Sequence, residues 1–207
     1  MKRARTDDAK DERRQLLLNA ALDEFFLKGF SAARMEDIAN RASLSKGTLY
    51  LYFDSKEALF EALIQSLAVP HLNQIEAMAS TSPSLRESLD ALVRYAPQVI
   101  RQSKLPRLVK VIVGDSQAFP GIVRQYRTRI VDRMLAIISS ILASASERGE
   151  IKIGEPALMA RLIVAPIVLS GLWEAVFASE DEPPVDLEAL FRMHADLLVR
   201  AIGIEGK

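Results

Sequence analysis

The sequence predicts an all-α protein made of a three-helix N-terminal unit followed by a larger helical domain. Two observations carry this. Apolar residues recur at helical spacing in segment after segment, as in Leu18, Ala21, Leu22, Phe25 and again in Leu59, Phe60, Leu63, Ile64, Leu67. The segments are punctuated by helix starters and stoppers, with Ser, Asp or Pro at the openings and Gly29 and Gly149 at the ends. The chain has 207 residues, 49% of them hydrophobic, which is enough for a sizeable core. It has no cysteine, so disulfides and thiolate metal sites are excluded.

In chain order, residues 1–10 carry Lys2, Arg3 and Arg5 without helical periodicity and read as a flexible basic arm. The first helix is expected from Asp11 to Lys28, stopped by Gly29, with Phe30 turning back onto the core. Residues 35–57 then read as two short helices with a tight turn between them and the start of a third. The first carries Ile38, Ala39 and Ala42 on one side. Ser43-Leu44-Ser45 ends it, and Ser45 is placed to cap the next. Two short helices joined by three or four residues form a helix-turn-helix, whose second helix enters the major groove of DNA.

That second helix is expected over Lys46–Phe53. Leu49 and Phe53 fall together at about 100° per residue and point inward. Gly47, Thr48 and Leu51 take the opposite side, where small residues allow a close backbone approach and the Thr48 hydroxyl suits a phosphate. Leu51, pointing straight outward, suits a thymine methyl. Tyr50 and Tyr52 flank the core side and keep their hydroxyls within reach of a sugar-phosphate chain. Lys46 and Lys56 each lie in a first helical turn, where the helix dipole disfavours a cation by roughly 0.3–1 kcal/mol unless an anion is bound there. Asp54 and Glu57 have capping-box spacing, so the third helix is expected to begin at Ser55.

The strings Phe30–Ala39, Ser45–Phe53 and Ser55–Phe60 resemble the N-terminal DNA-binding domain of the TetR family of transcriptional regulators, over about residues 13 to 65. The resemblance implies that Ser45, Lys46, Gly47, Thr48, Tyr50, Leu51, Tyr52 and Lys56 match DNA-touching positions and that Leu49 and Phe53 match core positions. Arg34 departs from the pattern, because the family has Ser or Thr there as a cap. Arginine has no acceptor, so Ser31 or water is left to cap, and Arg34 is free to reach a phosphate. Asp115, Phe119-Pro120 and the long helix after them resemble, more loosely, the AefR-like subgroup.

The domain boundaries follow: arm 1–10, helix-turn-helix domain 11–57 running into a connecting helix from 55, and a ligand-sensing and dimerisation domain 58–207. Pro70 interrupts the connecting helix. Helices are expected over 85–103, from Pro106 to about 119, over 122–148, over 157–178 and from Asp186 onward. The last two are apolar on most sides, which requires burial on more than one side. A four-helix interface with a second copy satisfies this, and the family resemblance implies it. Met78, Tyr95, Phe119, Tyr126, Trp173 and Phe177 are available to line an apolar pocket, or to serve as plain core.

Net charge is zero. The first 56 residues hold 11 Lys/Arg against 9 Asp/Glu, and the rest hold 16 against 18, so charge neither proves nor excludes nucleic acid. The two histidines, His71 and His194, have no partner at metal-ligand or catalytic spacing, and there is no phosphate loop or nucleophile elbow, so no enzyme and no cofactor is expected. No secretory signal is seen, and the apolar run Leu162–Leu169 is too short to span a bilayer, so a cytoplasmic location without membrane attachment is expected. The expected function is a homodimeric repressor that binds an inverted-repeat operator in double-stranded DNA and is released by a small, mainly apolar molecule. The competing reading is a helical scaffold that does not use its helix-turn-helix on DNA.

Overall fold

Among the described residues, eleven α-helices and one π-helical turn follow one another, with no strand. The structure, a computed structural model, describes residues 2–82, 84–179 and 181–202, the first six as backbone only. The basic side chains of the expected N-terminal arm therefore lie outside the described residues. So do parts of the turn near 83 and of the acidic loop near 180.

The chain divides into two compact units, 1–68 with 107–125, and 69–106 with 126–207. Sequence order suggested a single boundary near 57, but the 107–125 segment returns to the N-terminal unit. That unit opens with α1 (Lys2–Ala32), whose backbone is helical from Lys2 where an arm was expected. Residues 2–28 contain no glycine or proline, and extending an existing helix needs no new nucleus. Gly29, at φ 79° and ψ 160°, breaks α1 at the expected stop. Next come α2 (Met35–Arg41), α3 (Lys46–Tyr50) and α4 (Lys56–Leu67). The α4 cap is Ser55 and not Asp54: Ser55 has extended backbone, and its hydroxyl accepts from the Ala58 amide at 3.0 Å.

Leu17, Leu22, Phe25, Phe30, Ile38, Leu49, Leu59 and Phe60 form the buried centre of this unit. Phe30 packs on the rings of Phe25, Phe60 and Phe119 with centroids 5.1, 5.2 and 4.5 Å away. Phe119 lies in the corner between α7 (Leu105–Gly114) and α8 (Pro120–Tyr126). On α7, Leu108, Val111 and Ile112 are buried, while Val113 is exposed. Arg107 Nη2 pairs with Asp23 at 2.8 Å, and Lys110 stands 3.7 Å above the Phe26 ring, which ties α7 to α1.

The second unit contains α5 (Val69–Thr81), α6 (Leu85–Gln102), the π-turn Arg127–Val131, α9 (Asp132–Glu147), α10 (Pro156–Val176) and α11 (Leu187–Ile202). The connecting helix thus ends at Leu67, with Ala68 as its C-cap immediately before the pair Val69-Pro70, because proline has no N–H to donate and its ring crowds the preceding turn. Ser84 caps α6 through the Glu87 amide, and Asp186 caps α11 through the Ala189 amide at 2.9 Å. Leu85, Leu89, Ile138, Leu142, Ile163 and Leu198 make the main core. Helix α10 is unusual. It is long and apolar enough, by length and composition, to cross a membrane, yet only 22% of that window is buried within the chain.

Candidate nucleic-acid interface

The turn between α2 and α3 is a Schellman-type stop. Leu44 N donates to Ala39 O, Ser43 N donates to Asn40 O, and Ser43 takes φ 56°, a left-handed conformation usually left to glycine. Ser45 then caps α3 as expected, its Oγ accepting from the Thr48 amide at 3.0 Å. A second contact joins Ser45 Oγ to Thr48 Oγ1 at 2.8 Å. If Ser45 is the donor, the Thr48 proton is left for an outside acceptor.

Helix α3 is shorter than its sequence pattern, closing at Tyr50 with Leu51 as C-cap. The inward and outward sides are nevertheless those the spacing predicts. Leu49 is fully buried and Phe53 is 5% exposed, whereas Leu51 is 84% exposed and Tyr50 44%. Gly47 is exposed, and a Cβ there would meet only Ser45 Oγ, at 3.8 Å. The missing side chain thus serves no internal packing need and leaves the backbone open from outside. Tyr52 is half-buried, its ring tilted against Phe53 at 6.4 Å. Lys46 reaches solvent, with Glu36 3.9 Å away.

Arg34 stands at the N-cap of α2 with no side-chain cap bond, and its exposed side chain lies outside the core. Ser31 does not cap α2. Its amide instead donates to Asp115. Lys56 differs most from expectation. Its ammonium donates to the carbonyls of Phe30, Ser31 and Ala33 at 2.6, 3.1 and 2.9 Å, and lies 4.7 Å from the Phe30 ring centre. Its three protons are therefore taken by the end of α1, where carbonyls left without helical partners attract a cation.

One supporting group was not singled out in sequence. Glu24, buried in α1, receives Arg41 Nε at 2.8 Å and Lys28 Nζ at 2.9 Å, and Lys28 also reaches Asp37 at 3.0 Å. Burial pushes the Glu24 carboxyl up, but the two cations more than offset it and hold it below its usual value. The i, i+4 spacing of Glu24 and Lys28 was visible; the pairing with Arg41 across two helices was not. No cluster of His, Cys, Asp or Glu suited to a metal occurs among the described residues.

Residues 17–63 match the profile described as bacterial regulatory proteins, tetR family, and residues 81–182 match a tetracyclin repressor-like C-terminal domain. The looser AefR-like likeness finds no support in that second match. The HTH-type transcriptional regulator SrpR of Pseudomonas putida is 24% identical over 143 residues, 69% of this chain and 65% of that protein, just under two thirds of its length. Among solved structures, a TetR-like transcriptional regulator from Rhodococcus sp. RHA1 superposes with TM-score 0.64 at 29% identity, covering 94% of this chain and 97% of that one. The SmeT–triclosan complex shares the fold with TM-score 0.75 at 18% identity, covering 92% and 91%. An N-terminal helix-turn-helix unit with an outward-facing α3, joined to a helical C-terminal unit and matched by both profiles, makes this chain a DNA-binding transcriptional regulator that belongs to the TetR family.

Proposed function

We propose that this chain is a homodimeric, ligand-responsive repressor that binds an inverted-repeat operator and is released by a small, mainly apolar molecule. The observation that carries the DNA contact is the polarity of α3: its apolar anchors are sealed behind it while Leu51, Gly47 and Tyr50 face solvent. Arg34, Ser45, Lys46, Gly47, Thr48, Tyr50, Leu51 and Tyr52 form the proposed contact set. Lys46, Ser45 and Thr48 meet phosphates and Leu51 meets a base methyl. Lys56 leaves the set because its protons are already bound.

Two features of the second unit support the rest. A narrow apolar cleft of about 40 Å³ opens between α5, α6, α9 and α10, walled by Ile75, Met78, Leu89, Leu92, Ile138 and Ile163, and an apolar effector would have to widen it to be held there. Of the pocket candidates in the sequence, only Met78 lines it. Tyr95 instead bonds His71, Phe119 belongs to the N-terminal unit, and Trp173 and Phe177 lie exposed on and just beyond α10. Exposed Leu158, Leu162, Leu169 and Trp173 on α10 and Met193 and Leu197 on α11 suit a second copy of the chain. Two copies related by a two-fold axis present recognition helices to successive major grooves roughly 34 Å apart. An effector acts by binding one arrangement of the units better than the other.

The test is a gel shift of the chain against the promoter regions of its neighbouring genes, followed by Tyr50→Ala and Lys46→Ala. Both variants should lose affinity and remain dimeric. Failure of the wild type to associate with any duplex at low ionic strength would leave the scaffold reading in its place.

A further inference from the structure

Where Gly29 turns α1 out of helical geometry, the amides of Phe30 and Ser31 open a new turn, as the first amides of a helix do. One carboxylate meets both. Phe30 N donates to Asp115 Oδ2 at 2.8 Å and Ser31 N to Asp115 Oδ1 at 3.3 Å. Asp115 comes from 85 positions along the chain and is itself held in the α7–α8 corner, where the Ala118 and Phe119 amides donate to its carbonyl, both at 3.1 Å. The same corner sets the Phe119 ring edge-on against Phe30 at 4.5 Å. On the carbonyl side of the elbow sits Lys56. The φ of 79° favours glycine at position 29, and a Cβ there would stand 3.2 Å from Asp115 Oδ2, so the carboxylate would also have to give by a few tenths of an ångström.

We propose that Asp115 is a positioning residue for DNA recognition: its carboxylate fixes the Gly29–Ala33 elbow and thereby the direction in which α2 and α3 leave α1. This rests on the DNA-binding reading of α3. The elbow runs straight into Arg34 and α2, and Ala33 N closes it on Gly29 O at 3.2 Å, so a carboxylate that releases the two amides frees the entry angle of the whole helix-turn-helix. The location matters for regulation. Residues 107–125 continue at both ends into the second unit, and these crossings coincide with Pro106 and with the start of the π-turn after Tyr126. Both connections lead into the corner that holds Asp115, so a displacement carried along either of them bears on this carboxylate, beside the Phe119–Phe30 ring contact.

The experiment compares Asp115→Leu with Asp115→Asn in the full chain. The two variants share the branched four-atom side-chain skeleton of Asp115 and carry no charge, and differ in whether an oxygen acceptor remains. Affinity is measured for the duplex that the wild type selects from a random pool, and amide hydrogen exchange is followed by NMR at Phe30 and Ser31. Asp115→Leu should lose about tenfold or more in affinity and exchange faster by a similar factor at those two amides, with Leu17 to Leu22 unchanged. Asp115→Asn should recover part of both. Wild-type affinity in folded Asp115→Leu, equal loss in both variants, or unchanged exchange at Phe30 and Ser31 would each overturn the proposal. If Asp115→Leu does not fold, Asp115→Asn decides alone, because losing the charge should still speed exchange at one of the two amides. A wild type that selects no duplex would defeat the regulator reading and this inference with it, an outcome distinct from a variant that binds normally.

Discussion

Lys56 Nζ lies 2.6 Å from the carbonyl oxygen of Phe30 and 4.7 Å from the centre of that residue's ring, at the first residue of α4. An ammonium with three carbonyl acceptors holds helix ends together and has no proton left for DNA. Lys56→Met should therefore cost about 1–3 kcal/mol of stability and weaken operator binding without changing the slope of log affinity against log salt. Lys46→Met, by contrast, should lower that slope by about one unit, the release of one phosphate's counterions. Anisotropy titrations over a range of salt concentrations separate the two. A drop of one unit for Lys56→Met would return Lys56 to the phosphates.

Leu51 contributes nothing to the interior, so its replacement tests recognition without disturbing the fold. Leu51→Ala should leave stability within about 0.5 kcal/mol of wild type and the salt slope unchanged, while relaxing base preference at one position of each half-site. Selection from a random duplex pool reads this directly. An unaltered selected sequence would remove Leu51 from base contact.

How much of this was legible beforehand depended on how local each cause is. The Ser45 cap, the Gly29 stop and the inward pair Leu49 and Phe53 each follow from neighbours within four residues, and the structure reproduces all three. The capping-box spacing of Asp54 and Glu57 pointed to Asp54, but the cap is its neighbour Ser55, which has the extended backbone at φ −152° that a cap needs. The partners of Lys56 and Asp115 lie 23 to 85 positions away, beyond any periodicity argument. The same is true of the return of 107–125 to the N-terminal unit. The π-turn left no mark, because Arg127–Val131 continues the helical apolar spacing on both sides.

Ser43 offers a stability test at the turn itself. At φ 56° its Cβ carries the steric cost that glycine avoids, and the side chain is exposed. Ser43→Gly should stabilise the protein by about 1 kcal/mol, less the extra entropy of the unfolded glycine. Ser43→Val should do the reverse. Urea unfolding checks both, and a destabilised Ser43→Gly would mean that the hydroxyl has a role the backbone geometry does not reveal.

Both histidines impose a pH dependence of one sign. Burial lowers the pKa of His71, whose Nδ1 lies 2.7 Å from the Tyr95 hydroxyl. Burial also lowers that of His194, against a smaller opposing effect of the Leu162 and Ile163 backbone. A histidine whose folded pKa lies below its unfolded value takes up protons first in the unfolded chain. Stability is then fully present above the unfolded value near 6.5 and declines as pH falls through the folded values. Urea midpoints should drop between pH 7.5 and 5.5, above the window in which Glu24 and Glu150 titrate. Replacing His71 by Gln should flatten the decline, and an unchanged decline in that variant would assign it to other groups.

The outward face of α10 and α11 gives the sharpest test of assembly. Leu169 and Met193 are each 63% exposed, on helices whose opposite sides are already committed to Ala160, Ile163, Phe191 and Leu198. A solvated face of this kind gains nothing from leucine and methionine, whereas burial against a second copy recovers about 25 cal/mol for each Å² removed from water. Leu169→Glu together with Met193→Glu should therefore leave the helical signal and the folded core intact while shifting the chain to monomer in sedimentation velocity. On the proposed reading, in which two linked recognition helices bind an inverted repeat, the same variant should lose operator affinity by about a hundredfold or more. It should still bind a single half-site about as well as one wild-type protomer does. A monomeric wild type, or a double variant that remains dimeric, would separate this face from self-association.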